Sequence, residues 1–135
     1  MGLRDLIGKA RTELSSVEPV VQDVEVAGEL VSLGFLPAGG AKWDELTVTH
    51  PPRKNATLDM NLGYDVAAVA RAYPVDKITA DGEPVTAEDW ADLFTVISSP
   101  NIKNITSVLW GINHLDPAKK LTELGKARAS RSESS

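Results

Sequence analysis

Cysteine is absent from this 135-residue sequence, and histidine occurs only twice. Without cysteine the chain can form neither disulfides nor thiolate metal sites, and it has no cysteine nucleophile. A metal site would need both His50 and His114 together with carboxylates from distant segments. Phosphate-binding loops, dinucleotide-binding glycine patterns and nucleophile elbows are also missing. The sequence therefore predicts no metal, no cofactor and no enzymatic activity.

Long apolar runs are missing as well. No run approaches the roughly 20 residues that cross a bilayer, and the N-terminus carries an early acid where a signal peptide would have its apolar core. Together with the lack of cysteine, these features predict a cytoplasmic protein with no membrane partner.

Charge is unevenly distributed along the chain, whose formal net charge is −5. Residues 117–135 contain five basic and two acidic residues, a local excess of +3, so residues 1–116 stand at −8. An acidic body argues against nucleic-acid binding, which needs a basic face. The basic end either contacts an acidic partner or is simply solvated.

The N-terminal segment 2–14 is predicted to form an amphipathic helix. Leu3, Leu6 and Ile7 begin an apolar stripe that continues along one side of it. Two interpretations are open: the helix docks on its own core, or it is an arm that docks on a neighbouring subunit. The second makes it the candidate for self-association, with 15–19 as a linker and hinge.

Two short antiparallel hairpins are predicted next. Alternating apolar residues over 20–36, interrupted by the turn pair Ala27-Gly28, indicate the first. Asp81-Gly82, between 77–80 and 83–85, is a two-residue turn signal for the second.

The segment between the hairpins predicts two helices, over 41–48 and 64–73. Trp43 faces inward in the first of them, which ends before the double proline Pro51-Pro52. Residues 54–62 between the two helices are predicted to be irregular.

The C-terminal half predicts three helices. Thr86 begins the first with a capping box, and Ser99-Pro100 and Asp116-Pro117 begin the other two. Gly125 is the predicted end of the last helix. The tail 127–135 has no apolar periodicity and is predicted to be disordered.

The order of these elements predicts an α+β fold, with small antiparallel hairpins packed against about five to six helices and a helical C-terminal half. The predicted organisation is an N-terminal helix and linker over 1–19, a single domain over 20–126 and a tail over 127–135.

Apolar stripes supply the candidate contact residues, because core stripes and binding stripes have the same period and sequence cannot separate them. The candidate protein-interaction residues are Leu3, Leu6, Ile7, Trp43, Trp90, Leu93, Phe94, Ile97 and Trp110.

Several segments, taken in order, carry a family resemblance. They are Gly34-Phe35-Leu36-Pro37, Trp43-Asp44-Glu45-Leu46, His50-Pro51-Pro52-Arg53, Tyr64-Asp65, Ala70-Arg71-Ala72-Tyr73-Pro74, Asp81-Gly82-Glu83-Pro84-Val85, Trp90-Ala91-Asp92-Leu93, Val108-Leu109-Trp110-Gly111-Ile112-Asn113 and Leu121-Thr122-Glu123-Leu124-Gly125-Lys126-Ala127. Their order and spacing resemble the tail assembly chaperones of long-tailed, siphovirus-type bacteriophages, especially those of actinobacteria. The resemblance covers roughly residues 20–127.

The resemblance implies non-catalytic work during virion morphogenesis. Such chaperones bind the tape-measure protein, keep it soluble and extended, and leave as tail-tube protein polymerises around it. They act in the host cytoplasm and are generally absent from the finished particle. The implied partners are the tape-measure protein, further copies of the chain and the tail-tube protein. A structural tail or head-tail connector protein is the alternative, and a small enzyme or ligand-binding adaptor is a third class.

The family also commonly makes a longer product by ribosomal frameshifting. Leu124-Gly125-Lys126 is compatible with the codons CTG GGA AAG, which contain a heptamer on which a ribosome can slip. The resemblance thus makes Gly125 and Lys126 the candidate frameshift position and the long form a further partner. Reading the gene tests this hypothesis directly.

Overall fold

A computed structural model describes residues 2–133, with side chains as far as Arg131. Its sheet is a meander of four antiparallel strands in the order β1-β2-β3-β4. They are β1 (Val20–Val26), β2 (Glu29–Phe35), β3 (Ile78–Ala80) and β4 (Glu83–Pro84). Both predicted hairpins are confirmed, and the pairing of Phe35 with Ile78 joins them into one sheet. The predicted α+β class is confirmed as well.

Turn chemistry explains both hairpins. Ala27 and Gly28 have φ of 53° and 84°, and Asp81 and Gly82 have φ of 49° and 83°. Positive φ at both central residues is the type I′ turn, whose twist matches that of the flanking strands.

Helices make up most of the described chain. They are α1 (Leu3–Ser15), α2 (Gly40–Thr49), α3 (Thr57–Leu62), α4 (Val66–Ala72), α5 (Ala87–Leu93), α6 (Ser99–Trp110) and α7 (Asp116–Glu133), with a 3-10 turn at Val75–Lys77 and a π-helical segment at Gly111–Leu115. The irregular segment predicted over 54–62 is wrong from Thr57 onward, where α3 forms. Gly63 ends α3 in the left-handed conformation, with its N–H bonded to the Asp59 carbonyl.

Helix α7 begins at Asp116 as predicted, but no break precedes it, because α6, the π-helical segment and α7 run on continuously. Proline lacks an N–H and its ring crowds the carbonyl four residues back. In the π-helical segment the Asp116 N–H bonds to the Gly111 carbonyl, five residues back. This wider turn accommodates Pro117 without ending the helix.

The helix end predicted at Gly125 is also wrong, since α7 continues to Glu133. A glycine inside a helix costs only about 1 kcal/mol, and alanine, lysine and arginine around it favour helix. Residues 127–133 are therefore helical where the sequence predicted disorder, and 134–135 lie outside the described residues.

One face of the sheet is covered by helices and holds the core. Trp90 of α5 is its centre: its ring lies edge-on to Phe35 at 6.0 Å and its indole N–H donates to the Ala70 carbonyl at 3.0 Å. The Thr86 hydroxyl accepts a hydrogen bond from the Asp89 N–H at 3.1 Å, as the predicted cap requires. The other core residues are Val24, Leu33, Trp43, Leu46, Tyr64, Val66, Val69, Tyr73, Ile78, Ile97, Ile105, Leu109 and Ile112.

The two terminal helices lie outside this core. No residue of α1 is buried, and every residue of α7 from Asp116 to Arg131 is exposed. Within residues 2–133, no helix is both long enough and apolar enough to cross a membrane.

Candidate functional site

An apolar groove runs between α3, the start of α4 and α6. It consists of two adjoining cavities of about 400 and 390 Å³. Leu58, Val66 and Thr106 line both cavities and so make the groove continuous. We call it the α3–α6 groove.

Aliphatic and aromatic side chains dominate the α3–α6 groove, and polar groups lie towards one end. Leu58 is half exposed at 49%, which makes it the accessible apolar residue at the middle of the groove. The residues lining one or both cavities are Arg53, Ala56, Thr57, Leu58, Asp59, Leu62, Val66, Ala67, Ser99, Ile102, Lys103, Thr106, Ser107, Trp110, Gly111 and Leu115. A surface of this kind can hold the apolar stripe of an amphipathic helix.

An ion pair between the half-exposed Arg53 and the buried Asp59 fixes the α3 wall of the groove. The carboxylate of Asp59 is fully buried and accepts two hydrogen bonds from the Arg53 guanidinium, from Nε at 2.8 Å and from Nη2 at 3.1 Å. It also accepts from the backbone N–H groups of Arg53 and Val66, at 3.1 and 3.4 Å. Arg53 Nε lies 3.3 Å from Asp65 Oδ1 as well. The pair therefore ties the loop before α3 to the start of α4.

This ion pair shifts the pKa of both partners. The side-chain hydrogen bonds from Arg53 lower the pKa of Asp59, against the opposing effect of burial. The same hydrogen bonds raise the pKa of Arg53. Asp59 is thus held ionised in the interior by its donors, the usual condition for a buried charge.

Tyr64 extends this region towards α2. Its ring lies edge-on to Trp43 at 5.5 Å, and burial, with a smaller contribution from the Asp59 charge, raises the pKa of Tyr64 to about 12. The phenol therefore stays neutral at physiological pH and acts as a packing group.

A second polar bridge holds the far end of α6 to the sheet. Asn113 Nδ2 donates to the Tyr73 hydroxyl at 3.0 Å, and Asn113 Oδ1 accepts from the Ala38 N–H at 2.9 Å. The Tyr73 hydroxyl donates in turn to the Leu36 carbonyl at 2.7 Å. Burial raises the pKa of Tyr73, so its proton stays available for that bond. Asn113 lies in the π-helical segment, which places this amide beside the tyrosine.

Among the candidate contact residues, those of α1 are the most accessible. Leu3 is 74% and Leu6 48% exposed, while Ile7 is partly buried. The docking of α1 on a neighbouring subunit stays a prediction.

Three candidates belong to the core. Trp90, Trp43 and Ile97 are only 1%, 6% and 9% exposed, because they pack under the sheet and helices. In this fold they are core residues, and a contact of theirs with a partner stays a prediction. The helical stripe drawn from Trp90 to Ile97 is also one turn too long, since α5 ends at Leu93.

The remaining candidates are partly buried against the core. Leu93 and Phe94 flank Trp90, and Phe94 lies edge-on to it at 5.0 Å. Trp110 lines the α3–α6 groove and stacks on His114 at 5.9 Å. Of the predicted contact residues, only Trp110 lies in the groove.

The histidines do not meet. His50 Nδ1 lies 2.8 Å from the Leu46 carbonyl, and His114 lines a separate pocket of about 170 Å³ with one carboxylate, Asp44. Within the described residues no group of three or more potential metal ligands comes together. Gly125 and Lys126 lie within α7, and their proposed role concerns the gene and not the fold.

Sequence reasoning missed the groove and its ion pair. Arg53 and Asp59 lie six residues apart in a segment predicted to be irregular, so nothing suggested that they meet. The signal that could have found α3 is the pair Leu58 and Leu62, four residues apart and followed by Gly63.

Comparisons with known proteins identify no relative of this chain. No protein-family model, no curated protein and no solved structure matches the chain.

Proposed function

We propose that this protein is a phage tail assembly chaperone that binds the tape-measure protein and keeps it soluble and extended while the tail tube polymerises. It acts without catalysis, in the host cytoplasm, and leaves before the particle is complete. The resemblance to tail assembly chaperones, carried by the order of sequence segments between residues 34 and 127, supports this proposal. The α3–α6 groove is the single structural observation that supports the mechanism.

The dimensions of the groove suit a helical client. The α6 side, from Ile102 to Leu115, spans about 20 Å at 1.5 Å per residue. A client helix lying along it would bury three to four turns of its apolar stripe. A tape-measure protein is long and largely helical, and its exposed apolar stripes aggregate unless they are covered. Many copies of this chain, each covering a few turns, would keep it soluble.

A preformed groove favours binding, because its α3 wall is already ordered before the client helix arrives. The Arg53–Asp59 pair holds α3 against the start of α4, so little conformational entropy is lost when the client docks. The acidic body of the chain, at −8 over residues 1–116, also favours the solubility of the loaded complex.

Co-expression with the tape-measure protein of the same phage tests the proposal. We expect the tape-measure protein to become soluble and to co-elute with many copies of this chain. Leu58→Glu, which places a charge in the middle of the groove, should abolish this effect while the chain stays folded. Val48→Glu is the matched control: Val48 is 81% exposed on α2 and lies outside the groove.

Two results would reject the proposal. One is a tape-measure protein that stays insoluble beside a folded wild-type chain. The other is assembly of the wild-type chain into rings or tubes that persist in purified particles, which would assign it to the structural proteins of the tail or connector. Slippage at the codons for Gly125 and Lys126, read from the gene and its products, tests the proposed long form separately.

A further inference from the structure

The second face of the sheet is bare. Val21, Asp23 and Glu25 of β1 lie on it, with Leu30 and Ser32 of β2, and we call these five residues the open sheet face. Val21 is 61% and Leu30 71% exposed, so two apolar side chains face solvent there. Next to them, around Pro19 and Gly34, lies a shallow depression of about 670 Å³.

This face carries negative charge without any compensating cation. None of the four strands contains lysine or arginine. Asp23 accepts a hydrogen bond from the Ser32 hydroxyl at 2.7 Å, and Asp81 accepts one from the Ser32 N–H at 2.9 Å. In the described part of the chain, neither of these carboxylates nor that of Glu25 takes part in an ion pair.

Helix α7 carries the complementary pattern. Lys120, Leu121, Leu124 and Arg128 lie on one side of it, because at 3.6 residues per turn they fall within an arc of about 100° around the helix axis. We call these four residues the basic face of α7. Leu121 is 73% and Leu124 58% exposed, and among the described ion pairs none involves Lys120 or Arg128. Glu123 lies at the edge of this face, three residues from Lys120, and Lys119 and Lys126 lie on the opposite side of the helix.

Helix α7 also lacks packing of its own. Its described side chains are all exposed, so no tertiary packing within the chain contributes to its stability. It follows α6 and the π-helical segment without a break, and its side chains from Asp116 to Arg131 are exposed. Its basic face is therefore accessible to a second copy.

We propose that the basic face of α7 in one copy docks on the open sheet face of a second copy. Leu121 and Leu124 would cover the apolar side chains of that face. Lys120 and Arg128 would meet the carboxylates of Asp23 and Glu25. The helix thereby adds a third layer to a sheet that has only one side covered. The inference is independent of the proposed function, because it concerns contacts between copies and no client.

The contact joins the basic face of α7 to the open sheet face, and each copy has both surfaces. Such a heterologous contact closes into a ring or extends as a chain of copies. The opposite charges of residues 1–116 and 117–135 favour this head-to-tail arrangement over a symmetric dimer.

A charge-swap experiment tests the proposal on the full chain. The sheet variant is Asp23→Lys with Glu25→Lys, and the helix variant is Lys120→Glu with Arg128→Glu. The matched helix control is Lys119→Glu with Lys126→Glu, on the opposite side of α7. The matched control for the domain is Glu88→Lys with Asp92→Lys, on α5 and therefore on the covered side of the sheet. Circular dichroism establishes that each variant is folded.

Sedimentation at low and high salt is the readout. We expect wild-type chains to self-associate at low salt and to dissociate as added salt screens the contact. The sheet and helix variants should each self-associate at least about tenfold more weakly, and the two controls should behave like wild type. Mixing the two variants should restore a complex, because their reversed charges are complementary.

Three results would overturn the proposal. They are a wild-type chain that stays monomeric at low salt, controls that weaken association as much as the test variants, and a mixture of the two variants that forms no complex. A monomeric chain that shifts a labelled DNA duplex through Lys120 and Arg128 would assign α7 to nucleic acid instead.

Discussion

The compact domain over residues 20–115 and the two terminal helices are built from similar sequence patterns but differ in what they contact. In the domain, the side chains of the apolar stripes pack into a shared core around Trp90. In α1 and α7, stripes of the same period face solvent along their whole length. Periodicity therefore identifies a helix with an apolar side, and only the fold decides whether that side is covered. The buried core of the domain stabilises the fold, and the exposed sides of the terminal helices are available for contacts with other molecules.

Among the substitutions that test this difference, replacement of Trp90 should have the largest effect on the free energy of unfolding. Trp90→Ala removes a fully buried ring and the hydrogen bond to Ala70, and we expect it to lower the free energy of unfolding by about 3–5 kcal/mol. Leu121→Ala on α7 is the control and should change it by less than about 0.5 kcal/mol. Urea unfolding followed by fluorescence measures both. Similar effects of the two changes would erase the distinction between domain and terminal helix.

Loss of the buried carboxylate should come next. Asp59→Asn leaves the Arg53 guanidinium without its buried anion, and we expect a loss of about 2–3 kcal/mol at neutral pH. The pKa of Asp59 is lower in the folded state than its ordinary value of 3.8. Its contribution is therefore complete above about pH 4 and is lost as the pH falls through the folded-state pKa.

Urea unfolding of both proteins between pH 3 and pH 7 checks this prediction. The difference between wild type and Asp59→Asn should shrink as the solution is acidified. A difference that stays constant down to pH 3 would show that the lowered pKa of Asp59 does not contribute to stability.

The bridge at the π-helical segment should have a smaller effect. Asn113→Ala removes the donor to the Tyr73 hydroxyl and the acceptor for the Ala38 N–H, and we expect a loss of about 1–2 kcal/mol. Tyr73→Phe and the double variant complete a thermodynamic cycle, in which the two losses should not be additive. Strict additivity would mean that the two side chains do not act together.

The smallest effect is expected within α7. Gly125→Ala should raise the helix content seen by circular dichroism, because alanine favours helix by about 1 kcal/mol over glycine. Global stability of the domain should change by less than about 0.5 kcal/mol, since α7 does not pack on the core. A large rise in the unfolding midpoint would mean that α7 and the domain unfold as one unit.

Local signals in the sequence were sufficient where the structure depends on neighbouring residues. The turn pairs Ala27-Gly28 and Asp81-Gly82, and the cap at Thr86, act over a few residues and were predicted correctly. The start of α7 at Asp116 was predicted correctly, but its continuity with α6 was missed, and the helix end predicted at Gly125 was wrong. A π-turn absorbs the proline, and one glycine costs too little to stop a helix.

The meeting of α3 with α6 in the groove, the polar bridge at Asn113 and the joining of the two hairpins could not be predicted, because each depends on contacts between residues distant in the sequence. Asn113 and Tyr73 lie 40 positions apart, and the pairing of β2 with β3 crosses more than 40 residues. Trp90 illustrates the same limit: its stripe suits a core or a binding surface equally well, and only its burial places it in the core.

The most direct test of the account is hydrogen exchange of the chain alone and in complex with the tape-measure protein. In the chain alone, at the high salt that dissociates copies, the strands and α6 should be well protected, and α1 and α7 should exchange fast. In the complex, new protection should appear in α3 and along the α6 side of the α3–α6 groove. Protection that appears elsewhere, with α3 and residues 102–115 unchanged, would contradict the assignment of the groove as the client site.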